Sequence, residues 1–145
     1  GAARFEQWEA NCGAKIALGV AIDYALSWGI DKIQRRIASL SKVFRAQLES
    51  IRGVRVQDLG SKKCGIISFS LKGKDSATIQ KQLALQKMNI SVSMRRYTRL
   101  DMDIRNLESV CRASVHYYNT EDEINRFCLA IESASANRKL SKVSV

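Results

Sequence analysis

The chain has 145 residues, 46% of them apolar and 26% charged, the balance of one soluble globular domain. Its formal charge of +10 permits binding to nucleic acid or another polyanion. The 24 Lys and Arg are spread from Arg4 to Lys142 without a long block, and no RNA-recognition aromatic motif, GXXG loop or zinc-finger spacing accompanies them.

Solvated helix faces and a basic loop therefore account for the charge, and nucleic-acid binding is not expected. The nearly uncharged run from Ile16 to Trp28 is too short to span a bilayer and is interrupted by Asp23, so no membrane partner is expected. No secretory leader pattern opens the sequence, and a cytoplasmic location is expected, with an organelle left open. The cysteines, Cys12, Cys64, Cys111 and Cys128, stand far apart, and a single histidine completes no common zinc set; neither a disulfide nor a metal is expected. Cys64, Cys111 and Cys128 lie in apolar stretches and read as core residues, whereas Cys12 lies near a helix start.

In chain order, Asn11 to Trp28 reads as a helix apolar nearly all round (Ile16, Leu18, Val20, Ile22, Tyr24, Leu26, Trp28), which should be buried on several sides. Gly29 breaks it. A second helix carries Ile30, Ile33, Ile37, Leu40, Phe44, Leu48 and Ile51 at spacings of three or four, against a basic outer face, and Gly53 marks its end. Val54 to Asp58 is a short strand. CGIISFSLK then alternates, with Ile67, Phe69 and Leu71 on one face and Ser68 and Ser70 on the other.

A turn at Lys72-Gly73-Lys74-Asp75 leads into a helix from about Ser76 to Lys87. Asn89 to Met94 alternates again, Ile90, Val92 and Met94 against Ser91 and Ser93. A polar, arginine-rich loop follows, RRYTRLDMDIRN, and then the strand CRASVHYY. Thr120 and Glu123 have capping-box spacing at the start of the last helix, whose buried stripe is Ile124, Phe127, Cys128 and Ile131. The expected fold is an α+β two-layer sandwich: a small, mostly antiparallel sheet of about four strands, helices on one face, in the order α-α-β-β-α-β-β-α. Residues 1–133 form the domain and 134–145 a frayed polar tail.

Period-two alternation in CRASVHYY places Arg112, Ser114 and His116 on one face and Cys111, Ala113, Val115 and Tyr117 on the core face. Arg112 and His116 stand about 13 Å apart at the usual strand rise, so one small carboxylate does not bridge both. Arginine suits carboxylate recognition through its planar fork, although a strand arginine is commonly just exposed or ion-paired. Ser114 and His116 share a face, but no nucleophile elbow or orienting acid accompanies them.

RASVHYYNTEDEINRF (residues 112–127) resembles the C-terminal end of fold-type I, pyridoxal-phosphate-dependent enzymes of the class V aminotransferase family. That family includes cysteine desulfurases, selenocysteine lyases and isopenicillin N epimerase-like proteins. RFEQWEANCGAKIALGVAIDYA (residues 4–25) resembles the passage from its large to its small domain, and CGIISFSLKGKD and NISVS fit in order and spacing.

The resemblance implies a small C-terminal domain of a pyridoxal 5'-phosphate enzyme acting on an amino acid. The Schiff-base lysine and the acid that meets the pyridinium nitrogen lie upstream in the family, in a large domain that is this chain's implied partner. No catalytic residue is therefore assigned here, and the chain by itself is expected to be inactive. Arg112 is implied to receive the substrate carboxylate. The segment carrying Arg4, Trp8 and Glu9 is implied to approach the cofactor phosphate of a neighbouring subunit, hence a homodimer.

Two departures matter. The loop after NISVS, where desulfurases carry a nucleophilic cysteine, contains none here, so a lyase, epimerase or transferase role is expected rather than persulfide chemistry. Its Arg95, Arg96 and Arg99 are candidates to meet an acidic or larger substrate. Glu9 also stands where many desulfurases have a threonine. Two rival readings are a basic, non-enzymatic module that binds RNA or another polyanion, and a family member that keeps the fold without the chemistry.

Overall fold

A computed structural model describes residues 1–5 and 9–136. Where the sequence suggests one domain over residues 1–133, the chain divides into two compact units, Gly1–Gln34 and Arg35–Val145. In the first, a 3-10 turn at Ala2–Phe5 precedes helix α1 (Cys12–Trp28). Asn11 caps α1, its side-chain oxygen accepting from Ala14 N at 2.9 Å. Gly29, at φ 86°, ends it in a conformation that favours glycine.

The expectation that α1 is buried on several sides is not met. No residue of α1 is buried, and Ile16 and Val20 are 72% and 66% exposed. Apolar side chains nearly all round the helix need cover from more than one direction. Among the described residues, the first unit offers only the four-residue turn and the first turns of the next helix.

Helix α2 (Ile30–Ser50) carries the division between the units within it. Its buried stripe is Leu40, Ser41, Phe44 and Leu48. Ile30 is exposed and Ile37 half-buried, so the stripe closes over a core only from Leu40 onward. Four strands follow, β1 (Val54–Val56), β2 (Ile66–Leu71), β3 (Ser91–Met94) and β4 (Ser109–Ser114), antiparallel throughout in the order β1-β2-β4-β3. Helix α3 (Ser76–Ala84) lies between β2 and β3, and α5 (Glu121–Ala136) closes the described chain.

The α+β sandwich expected from the sequence is present. Ile67, Phe69 and Leu71 of β2 and Cys111 and Ala113 of β4 share one core with Phe44 of α2, Ile79 and Leu83 of α3, and Ile124, Phe127 and Ile131 of α5. Phe127 ties the layers together. Its ring packs edge-on against Phe44 at 5.1 Å and against Phe69 at 6.1 Å, the aromatic geometry that adds attraction beyond buried area.

Several boundaries differ from the sequence reading. Helix α3 stops at Ala84 rather than Lys87, because Lys87 turns left-handed (φ 60°) and Met88 N closes back on Leu83 O at 3.0 Å. Helix α5 runs to Ala136, three residues past Ser133, and residues 137–145 of the expected frayed tail lie outside the described residues. The arginine-rich loop contains a 3-10 turn (Arg95–Tyr97) and a further helix, α4 (Arg99–Ile104). Asn106, at φ 52°, ends α4, with Leu107 N bonded to Met102 O at 2.9 Å and Asn106 N to Asp103 O at 3.2 Å.

All four cysteines are free, and Cys111 and Cys128 are buried as expected. Cys64 is exposed instead: it precedes β2, so the alternation that buries Ile67 and Phe69 does not reach it. Burial pushes the Cys111 thiol up to about 11, with a hydrogen bond from the Ser76 side chain opposing, and burial alone does the same to Cys128.

Two expectations follow from this packing. Thiol titration of the native protein should resolve two fast groups, Cys12 and Cys64, and two protected ones, Cys111 and Cys128. Because the folded state holds both protected thiols protonated, that contribution to stability is intact below the ordinary thiol range and is lost as pH rises through about 11. Four equally fast thiols would contradict the packing. Gly65 is the second. A methyl there would stand 2.7 Å from the Val115 carbonyl oxygen and 2.7 Å from Ile37 Cγ2. Gly65→Ala should cost about 1–3 kcal/mol in a urea melt, as overpacked sites do.

Candidate substrate-binding face

Register turns the alternation of three strands into a site. Arg112 of β4 pairs with Ser68 of β2 on one side and Ser91 of β3 on the other. Beyond Ser68, Gln57 continues β1, donating its N–H to Ser68 O at 2.7 Å. Paired residues in antiparallel strands point to the same face, so Gln57, Ser68, Arg112 and Ser91 form one row across the sheet. The row lies opposite Phe69 and Cys111, both fully buried. The same alternation puts Ser70, Ser93 and Ser114 on this face, with Val110 as its buried apolar member.

Arg112 is half-buried, and its guanidinium makes no hydrogen bond or ion pair with any described residue. Other arginines nearby are engaged. Arg45 pairs with Asp58 at 2.7 Å, both side chains about nine-tenths buried, and donates to the carbonyls of Cys64 and Ile66. Arg95, named from the sequence as a substrate-loop candidate, pairs with Asp103 at 3.1 Å and Glu108 at 2.6 Å and donates to Leu107 O. Its charge is used to hold the loop. Arg99 shares Asp103 at 3.8 Å.

Arg105, just past α4, pairs with Asp101 and donates to the carbonyl and side-chain oxygens of Gln57 at 2.6 and 3.1 Å. Gln57 in turn donates to Ser70 Oγ. These bonds seat the end of α4 on the polar face. Arg96, the other loop candidate, is exposed and lies over the Tyr97 ring at 4.8 Å.

The remaining candidates belong to the first unit. Arg4 is exposed, its guanidinium over the Phe5 ring at 4.7 Å, and Glu9 is exposed. Trp8 lies outside the described residues.

The residues after Arg112 build a rigid turn. The strand ends at Ser114, so the expected alternation stops with buried Val115, and Tyr117 is half-buried. His116 is exposed, its ring stacked on Tyr118 at 5.3 Å. Asn119 accepts His116 N–H and donates to Glu123, while Arg36 binds Asn119 O and pairs with Glu121. The capping box forms as the spacing implies: Glu123 Oε2 accepts from Thr120 N at 2.9 Å, and Thr120 Oγ1 accepts from Glu123 N at 3.2 Å.

Those bonds set the charges. The backbone N–H of Thr120, and then Asn119, hold the Glu123 carboxyl below its ordinary range; a hydrogen bond from Arg36 does the same for Glu121. Among the described residues, no group of three or more His, Cys, Asp or Glu is placed to hold a metal, and no helix is long and apolar enough to cross a membrane.

Set against known proteins, the chain belongs to the class V aminotransferase family, whose sequence profile matches residues 2–127. It is 29% identical over 128 residues to a probable cysteine desulfurase of Xylella fastidiosa (strain Temecula1), covering 88% of this chain and 30% of that protein. It is 31% identical over 130 residues to a cysteine desulfurase of Enterobacter sp. (strain 638), covering 89% and 31%. The apo cysteine desulfurase of Thermococcus onnurineus NA1 shares the fold with a TM-score of 0.84 at 24% identity, over 92% of this chain and 34% of that one. An Escherichia coli cysteine desulfurase in an S-sulfonic acid form gives 0.81 at 17%, over 91% and 32%. The chain thus spans about a third of the length of the proteins it matches.

The turn can be tested without ligand. Thr120→Ala should cost about 1 kcal/mol, the usual worth of such a cap. The depressed carboxyls of Glu121 and Glu123 stabilise the start of α5 above the ordinary carboxylate range, and that support is lost as pH falls through their lowered values. Acid fraying of this helix start, followed by amide exchange, should be stronger in wild type than in Glu123→Ala, which has already lost the box.

Proposed function

We propose that this chain is the small C-terminal domain of a pyridoxal-phosphate-dependent enzyme acting on an amino acid, and that Arg112 receives the substrate's carboxylate. One observation carries the reading: a half-buried guanidinium, without an acidic partner among the described residues, on a face floored by serines. A desolvated, unpaired guanidinium favours an anionic ligand, and its planar fork matches a carboxylate through two parallel charge-assisted bonds. Holding the carboxylate fixes the rest of the amino acid and orients the bond to be broken.

Pyridoxal phosphate, held by the larger domain of the same protein, would supply the electron sink for the chemistry. This chain's share is binding and orientation, and by itself it is inactive. Residues 95–108 include no cysteine, which supports a lyase, epimerase or transferase role over persulfide formation. Burial and a raised thiol make Cys111, next to Arg112, a poor substitute nucleophile. A homodimer, with Arg4, Trp8 and Glu9 near the cofactor phosphate of the second subunit, completes the reading. The apolar helix α1, none of whose residues is buried, is consistent with cover from another domain or subunit.

The complete gene product tests this directly. Its absorbance should contain a pyridoxal phosphate band that borohydride abolishes, in wild type and Arg112→Ala alike. Amino acids should perturb the band in wild type, with affinity at least tenfold weaker in Arg112→Ala, the loss of at least one strong charge-assisted contact. Absence of the band would overturn the enzyme reading. An unchanged amino-acid response in Arg112→Ala would remove Arg112 from the carboxylate.

A further inference from the structure

Beside the Arg112 row, on the side of β1 and β2, lies an open pocket of about 400 Å³. Ser68, the residue paired with Arg112, forms part of its wall, so the pocket begins one strand away from the guanidinium. Four cations line it, Arg45, Lys62, Lys63 and Arg105, against two carboxylates, Asp58 and Asp101.

Both carboxylates are already used. Asp58 binds Arg45 and accepts Ser68 N–H at 2.7 Å; Asp101 binds Arg105. Lys63 reaches only a neutral acceptor, Asp58 O, at 2.9 Å, and Lys62 meets no acid among the described residues. The pocket therefore carries two positive charges in excess of its own acids, next to an arginine that has none.

From this juxtaposition we infer that the substrate is an amino acid whose side chain ends in a second anionic group. Its α-carboxylate meets Arg112 and its distal anion enters the pocket toward Lys62 and Lys63. The carboxylates in the same wall, Asp58 and Asp101, are each held by an arginine, Arg45 and Arg105. The floor is Ser68, whose hydroxyl accepts or donates a hydrogen bond to a polar chain without opposing either charge. A neutral amino acid engages only one end. The inference rests on Arg112 as the carboxylate receiver and goes further by naming the class of side chain.

The test titrates L-glutamate, L-aspartate and L-alanine into the protein and follows the Arg112 guanidinium and lysine ammonium signals by NMR. The expected result is that at least one dicarboxylate saturates at about tenfold lower concentration than L-alanine, the effect of one added charge-assisted contact, and moves Arg112 and Lys62 signals together. The Lys62→Gln/Lys63→Gln variant should raise that dicarboxylate's half-saturation to the L-alanine level and leave L-alanine unchanged.

Equal half-saturation of all three ligands in wild type would overturn the inference. So would lysine shifts without any at Arg112, which would mark a surface counter-ion effect only. Arg112→Ala separates the two levels. If it weakens every ligand while the lysine variant weakens none, the carboxylate role stands and the pocket falls. If it weakens none, the carboxylate role itself falls.

Discussion

The antiparallel register of β4 between β2 and β3 is the constraint on which the rest depends. Pairing Phe69 with Cys111 fixes the core face, and in the same stroke pairing Ser68 and Ser91 with Arg112 fixes the polar face that carries the candidate site. A slip of one residue would turn Arg112 into the core and Cys111 out of it. The cost of burying an unpaired guanidinium makes that slip prohibitive, so the positions of core and site are decided together.

Around that strand the other half-buried arginines, Arg36, Arg45, Arg95 and Arg105, are each paired with an acid. The buried Arg45–Asp58 pair anchors α2 to the entry of β2, and Asp58 also takes the Ser68 amide. The loop carrying α4 neutralises Arg95, Arg99 and Arg105 with Asp101, Asp103 and Glu108. Against this background Arg112 stands out as a half-buried arginine without an acid partner among the described residues. Net charge alone permits a polyanion without selecting one.

Much of this was legible in the sequence where the signal is local and periodic. Alternation in ISFSL and CRASV gives both faces correctly through Val115, and Thr120 with Glu123 announces the start of α5. Other features depend on tertiary contacts that no local pattern carries. Helix α4 has six residues, too few for a periodic stripe, and is fixed by Asn106 and by the bonds from Arg105 to Gln57. Cys64 looks like part of a strand but precedes its first residue. The apolar run of α1 correctly announces a helix but says nothing of what covers it. That Ser68 and Ser91 flank Arg112 follows from register, which joins segments more than twenty residues apart.

The most direct measurement is a crystal structure of the complete protein with a non-reactive amino-acid analogue bound. The account requires the analogue's α-carboxylate to sit on the Arg112 guanidinium in a forked pair at about 2.7–2.9 Å, over the floor of Ser68 and Ser91. Arg112 paired instead to a carboxylate of its own chain, with the analogue's carboxylate held elsewhere, would contradict it.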